Sequence, residues 1–168
     1  ERAAMMHELG LDRPLVAQYL GWMKEIGSGS LGESFFRGDK VSDLIRTRGP
    51  ITLEVGLLAV LLSWVVGLPV GVLSALRPNT TADFGARVFS ILFLAIPGFW
   101  LGLLIVMGLV IWLGYKSPIL PIQIWQDPWA NLQMVIGPAL VLGLAQAAYI
   151  ARMARSSLFE VVREDYIR

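Results

Sequence analysis

Cysteine is absent from the 168 residues, and histidine occurs once, as His7. Without thiols there is no disulfide, thiolate metal site or thiol nucleophile, and compartment is left open. A single histidine without zincin spacing makes no metal centre. A Walker lysine motif is also missing, so the chain does not itself bind ATP in that manner. Charge is scarce: 16% of residues are charged and 55% hydrophobic, where a soluble domain carries about a quarter charged. The scarcity comes in blocks, with no charge between Glu54 and Arg77, between Arg87 and Lys116, or between Asp127 and Arg152. Each block is long enough for a membrane-crossing helix, which needs roughly 20 apolar residues. The mean hydropathy of +0.63 agrees, and a net charge of +1 implies no strong pull toward nucleic acid. The composition is that of a membrane protein.

What is present falls into two parts. Residues 1–50 are mixed and water-compatible, with acids and bases in balance. Pro14 suits the first turn of a helix, with Asp12 or Arg13 near its cap. Val16, Tyr19, Leu20, Met23 and Ile26 then recur at amphipathic helical spacing. "GSGSLGES" reads as a loop, and a short amphipathic helix is expected from Val41 to Arg48. Residues 51–168 hold three expected spans, about 51–76, 88–114 and 133–151, followed by a charged helical stretch at 152–168. Pro69 lies inside the first span, where neighbouring helices can re-satisfy the backbone groups it frees. The Pro97-Gly98 pair should kink the second. Trp112, Tyr115, Trp125 and Trp129 suit an aromatic belt at one membrane surface. The fold class is therefore all-α membrane, with an N-terminal helical region outside the bilayer.

Arg77 and Arg87 share a side with Arg152, Arg155, Arg163 and Arg168, while the other connection offers only Lys116. The positive-inside rule then puts the C-terminal end in the cytoplasm and residues 1–50 outside. Lys40, Arg46 and Arg48 stand against this assignment, although a translocated region of that size follows charge bias less strictly.

Gly27 to Gly32 fits G-x-G-x-x-G literally, but a helical pattern precedes it and no acid stands about 20 residues on, so it reads as a loop and not a dinucleotide site. The span interiors hold no acid or base, Glu54 being nearest, at an edge. Intramembrane charge usually marks ion or proton pathways, so its absence argues against a proton-coupled pump or a voltage sensor. Ser63, Ser74 and Ser90 have no base to activate them, which disfavours a membrane enzyme. Gly67-x-x-x-Gly71 and Gly98-x-x-x-Gly102 set small residues on one helix face, which reads as close packing ahead of a moving gate. The break at Pro97, Gly98, Phe99 and Trp100 reads either as a passive kink or as a gate. Gln146 and Tyr149, one turn apart, either hydrogen-bond across helices or line a polar path for a hydrophilic solute.

At the C-terminal end Leu158, Val162 and Tyr166 form one helical stripe, extended by Phe159, and Glu160, Glu164 and Arg168 form a charged row. A surface helix on anionic lipid favours bases on its polar face. The mixed charge here suits a protein groove better.

These pieces together resemble a known family. "ELGLDRPLVAQYLGWM", "GSLGESF", "TLEVGLLAVLLSWVVGLPVGVLSAL", "IPGFWLGLL" and "LFEVVREDYIR" are similar, in order and spacing, to the dipeptide/oligopeptide/nickel permeases of ABC importers. Arg48-Gly49-Pro50 departs from relatives, which usually carry a bulkier residue before the proline. The resemblance implies a type I importer core, usually of six spans, with one span before residue 1 and two after residue 168. It implies a sister permease subunit, two cytoplasmic ATP-binding subunits carrying ATP-Mg, an extracytoplasmic solute-binding protein, and a bacterial or archaeal inner-membrane location. No cofactor is expected on this chain and no enzymatic activity of its own. The family's cytoplasmic EAA loop docks on the ATPase, and "EDYIR" leads into it. The expected ATPase-coupling residues are thus Leu158, Phe159, Glu160, Val162, Asp165, Tyr166 and Arg168, and the expected path or gate residues are Pro97, Gly98, Phe99, Trp100, Gln146 and Tyr149. The expected function is import of peptides or peptide-sized solutes. A membrane scaffold with a docking helix and a secondary transporter are the competing readings.

Overall fold

The computed structural model describes residue 6 and residues 11–34, 37–115, 118 and 120–162. The chain divides into two compact units, Glu1–Gly49 and Pro50–Arg168.

In the first unit, α1 (Leu15–Gly27) begins directly after Pro14, which is the cap residue itself, one position outside the expected first turn. Its apolar residues Leu15, Val16, Tyr19, Leu20, Trp22 and Met23 are all exposed. The helix stops at Ser28, whose N–H bonds back to Lys24 and Glu25 carbonyls, and Gly29 continues at φ 88°. "GSGSLGES" forms the loop the sequence suggests, closed by an antiparallel bridge between Glu33 and Lys40. Among the described residues this bridge is the only extended pairing. α2 (Val41–Leu76) starts here and carries Pro50 and Pro69 inside one helix. The short helix expected at Val41–Arg48 is therefore the first part of a longer one. Pro50 costs its own N–H bond but does not end the helix.

The second unit holds the rest of α2 with α3 (Thr81–Ala95), α4 (Gly98–Leu113) and α5 (Pro128–Val161). Thr80 caps α3 by accepting from the Asp83 N–H, and Asp127 caps α5 by accepting from Trp129 and Ala130. Pro128 at the first position of α5 removes an N–H that would have had no partner. α5 is longer than the apolar core expected at 133–151, running unbroken into the charged stretch.

The expected kink at Pro97 is a full break. The residue before a proline is disfavoured in the α region, and Ile96 accordingly takes φ −76° and ψ 123°. α3 ends at Ala95, Pro97 caps α4, and the two axes meet at 103°.

α2 and α5 pack along a seam of small residues. On α2 the buried positions Ala59, Ser63, Gly67, Gly71 and Ala75 recur every fourth residue, as do Val135, Ala139, Gly143, Ala147 and Ala151 on α5. A Cβ placed on Gly67 would lie 2.7 Å from the Ala147 carbonyl oxygen, and one on Gly71 would lie 2.7 Å from that of Ala151. Gly143 meets Ala59 and Leu62 in the same way. Gly67-x-x-x-Gly71 is thus a packing motif. Gly98-x-x-x-Gly102 is not: among the described residues a Cβ on Gly98, which opens α4 at the break, would meet nothing within 4 Å, and one on Gly102 would meet only the Val141 side chain, at 3.7 Å.

The seam also fixes the crossing number. Contacts pair Gly143 with Ala59, Ala147 with Gly67 and Ala151 with Gly71, so residue numbers rise together and the helices run parallel. The chain between them must return across the membrane, and among the described residues only the broken pair α3–α4 is available to do so. α2 and α5 are each long and apolar enough to cross alone, and α3 with α4 supplies the third crossing. The described residues therefore form an all-helical, multi-pass membrane fold.

Candidate functional site

The seam ends in a polar contact at each extremity. At the first, the Asn131 side-chain amide donates to Glu54 Oε2 at 3.0 Å and to the Ile122 carbonyl at 2.9 Å. Both partners are acceptors, so the nitrogen is the atom facing them and Oδ1 points away. That buried oxygen has no partner among the described residues. The Tyr115 hydroxyl donates to the Gln133 carbonyl, tying the start of the α4–α5 connection to the first turns of α5.

At the other extremity Asp83, with a solvent exposure of 0%, collects donors from four places. Ser74 Oγ donates to Oδ1 at 2.6 Å, Arg155 Nε donates to Oδ1 at 2.8 Å and its Nη2 to Oδ2 at 3.3 Å. The Asn79 N–H donates to Oδ2 at 3.1 Å, which Asn79 reaches by taking the left-handed φ of 59°. Arg87 Nη2 lies 3.2 Å from Oδ2, one turn further along α3. Arg155 Nε also donates to Ser74 Oγ at 3.0 Å. One carboxylate thus joins the end of α2, the α2–α3 turn, α3 and α5. Two cations face one buried anion, an arrangement that charge-assisted hydrogen bonds favour.

From Glu54 to Ser74 along α2 is 20 residues, about 30 Å at 1.5 Å per residue, which matches the hydrocarbon thickness of a bilayer. The polar contacts therefore bracket one membrane thickness, and the small-residue seam fills the space between.

Gln146 and Tyr149 lie on the face of α5 away from this seam. Both are exposed, together with Leu142 and Met153. Gln146 makes no side-chain hydrogen bond among the described residues, so the expected interhelical bond is not made within them. Arg152 sits over the Tyr149 ring, 5.9 Å from its centroid. At the break, Pro97, Gly98, Phe99 and Trp100 are all exposed, while the preceding Ile96 is half-buried. At the end of α5, Leu158 and Phe159 are half-buried, Glu160 and Val162 are exposed, and the Arg155 guanidinium carbon lies 5.5 Å from the Phe159 ring centroid. Asp165, Tyr166 and Arg168 lie outside the described residues.

The Asp83 cluster and the Glu54–Asn131 contact are not legible in linear sequence, because Asp83 and Arg155 are 72 residues apart and Glu54 and Asn131 are 77 apart. One signal was available. Asn131 and Arg155 continue the four-residue progression of the α5 seam at its two ends, so their side chains point along the buried row.

Residues 67–168 match the family model of the binding-protein-dependent transport system inner membrane component. The whole chain is 36% identical to the oligopeptide transport system permease protein AppB of Bacillus subtilis, of which it covers 54%. It is 34% identical, over 99% of its length, to 55% of the di/tripeptide transport system permease protein DppB of Pseudomonas aeruginosa. Over 96% of its length it is 33% identical to 54% of the probable D,D-dipeptide transport system permease protein DdpB of Escherichia coli. The chain spans about half the length of the curated relatives it matches.

Proposed function

The chain belongs to the binding-protein-dependent transport inner-membrane component family, and on that premise we propose that it is a permease subunit of an ATP-driven importer that moves peptides or peptide-sized solutes into the cell by alternating access. The solute class follows the relatives, whose names specify oligopeptides, di- or tripeptides and D,D-dipeptides.

The observation that carries this reading is the exposed α5 face bearing Gln146 and Tyr149. A polar group against lipid without a hydrogen-bond partner costs free energy, and polar surface at membrane depth is tolerated where it meets protein or a water-filled cavity. An amide and a phenol on a spanning helix, backed by a seam that holds α5 rigidly against α2, suit the wall of a solute path closed on its far side by a sister permease. The exposed aromatics Phe99 and Trp100 at the α3–α4 break, with Pro97 and Gly98, are assigned as the gate of that path.

The end of the bundle carrying Arg77, Arg87, Arg152 and Arg155 is assigned to the cytoplasm by the positive-inside rule. There Leu158, Phe159, Glu160 and Val162, followed by Asp165, Tyr166 and Arg168, form the approach to a docking segment for two ATP-binding subunits, which hold ATP-Mg and perform hydrolysis. Residues 1–50 are assigned to the extracytoplasmic side, where the exposed α1 side chains offer a contact for the solute-binding protein.

The test is peptide uptake into proteoliposomes containing the full-length permease with its neighbouring permease, ATPases and binding protein. Uptake should require ATP and the binding protein, and Gln146→Leu should reduce it while the complex still assembles. Failure to capture any ATPase, or ATP-independent uptake, refutes the proposal.

A further inference from the structure

α5 is one unbroken helix from the membrane to the expected docking approach, and its last glycine-mediated contact in the seam is Gly71 against Ala151 and Ala154. The next residue is Arg155. Its guanidinium reaches across to Asp83 and Ser74, and its charge lies over Phe159 one turn on. Arg155 therefore touches, through one side chain, the α2 end, α3 and the segment that leads out of the bundle.

A purely stabilising role explains this cluster poorly. A buried ion pair is often no better for stability than apolar residues of similar volume, because desolvation offsets the attraction. What it supplies is geometry: a planar fork with two bonds to two carboxylate oxygens fixes direction as well as distance, and a lysine ammonium does not. Beside it lies a cleft of about 350 Å³ lined by Arg87, Ser90, Arg152 and Ser156 as well as Arg155, so the guanidinium has room to swing without dismantling the seam.

We infer that Arg155, clasped by Asp83 and Ser74, is the positioning residue that transmits movement of the α5 end to the α2–α3 corner, and so couples ATPase closure to the spans. Displacement of the segment holding Leu158 and Phe159 tilts the Arg155 fork, and Asp83 carries that tilt to Ser74 of α2 and to the Asn79 turn. This inference rests on the importer reading above.

The experiment uses the full transporter in proteoliposomes and compares wild type with Arg155→Lys and with the double variant Asp83→Asn/Arg155→Met. The lysine keeps the charge beside Asp83, and the double variant removes both charges together, so neither leaves a buried ion alone. Each should assemble and keep basal ATP hydrolysis, while stimulation by loaded binding protein and peptide uptake fall roughly tenfold, within the usual span of coupling free energies. Stimulation and uptake within twofold of wild type in an assembled variant would overturn the inference. Loss of assembly in both variants would overturn it equally, in favour of a structural role. A wild-type complex that binds no ATPase is a separate result, and it refutes the importer reading and not the role of Arg155 alone.

Discussion

The seam between α2 and α5 makes a graded prediction about alanine. A methyl group on Gly67 would sit 2.7 Å from the Ala147 carbonyl oxygen and 3.1 Å from its Cα, and one on Gly71 would meet the Ala151 carbonyl oxygen at 2.7 Å and the Ala154 Cβ at 2.8 Å. Most of these atoms belong to the backbone, and they move only if the helices separate by several tenths of an ångström. Overpacking of that kind costs about 1–3 kcal/mol. At Gly143 the tightest neighbour is the Leu62 Cδ2 at 2.7 Å, a side-chain end that can rotate, with the Ala59 carbonyl at 3.1 Å. Gly56 and Gly137 lie in the same two helices, and among the described residues a Cβ on either would meet nothing within 4 Å. Alanine at those two gains helix propensity of about 1 kcal/mol over glycine, and the same gain is present at all five sites. Differences between sites therefore isolate the seam. Gly67→Ala and Gly71→Ala should each be about 1–3 kcal/mol less stable than Gly137→Ala, with Gly143→Ala in between. Thermal unfolding of the purified membrane protein, followed by scanning fluorimetry on its tryptophans, gives the order. If Gly67→Ala and Gly137→Ala unfold together, the parallel seam is wrong, and the inference of a return crossing through α3–α4 falls with it.

Asp83→Leu should destabilise the protein by about 3 kcal/mol, since it leaves Arg155 half-enclosed without its anion, and a variant as stable as wild type would refute the buried pair. Asn131→Ala should cost about 1–3 kcal/mol by removing the donor to Glu54 and Ile122, with Glu54→Gln milder because its amide can still accept; chemical denaturation of both variants ranks them. Pro97→Ala frees Ile96 to stay helical, so the distance between spin labels at Phe84 and Ile111, both exposed, should lengthen as the 103° break opens. An unchanged distance would show that packing against α5, not the proline, sets the bend.

The sequence was most legible where the physics is local. Charge-free blocks announce spanning helices because every charge carried into hydrocarbon is costly, and the Pro97 break follows from steric exclusion between neighbours in the chain. Gly67 and Gly71 could be named as packing residues from their four-residue spacing. The same spacing at Gly98 and Gly102 was misleading, since the first of these stands at a helix start where no neighbour lies close. The merger of Val41–Arg48 with the first span was missed because Gly49-Pro50 is a strong local stop signal. Gln146 stood out in the sequence as a polar residue inside an apolar block. Its exposure on the face away from the seam became visible only once α5 had a packed side.

By itself, the sequence determined the membrane class, the charge-free apolar blocks and the family resemblance, all of which depend on composition and on residues close together in the chain. Only the tertiary structure decided that α2 and α5 run parallel, that their contact is bounded by Glu54–Asn131 at one end and Ser74–Asp83–Arg155 at the other, and that Arg155 stands between the bundle and the outgoing helix. Those features join residues more than 70 positions apart. A linear chain carries no mark of such partners, because their attraction acts only after the small-residue seam has brought two backbones close enough for a carboxylate, a hydroxyl and a guanidinium to meet.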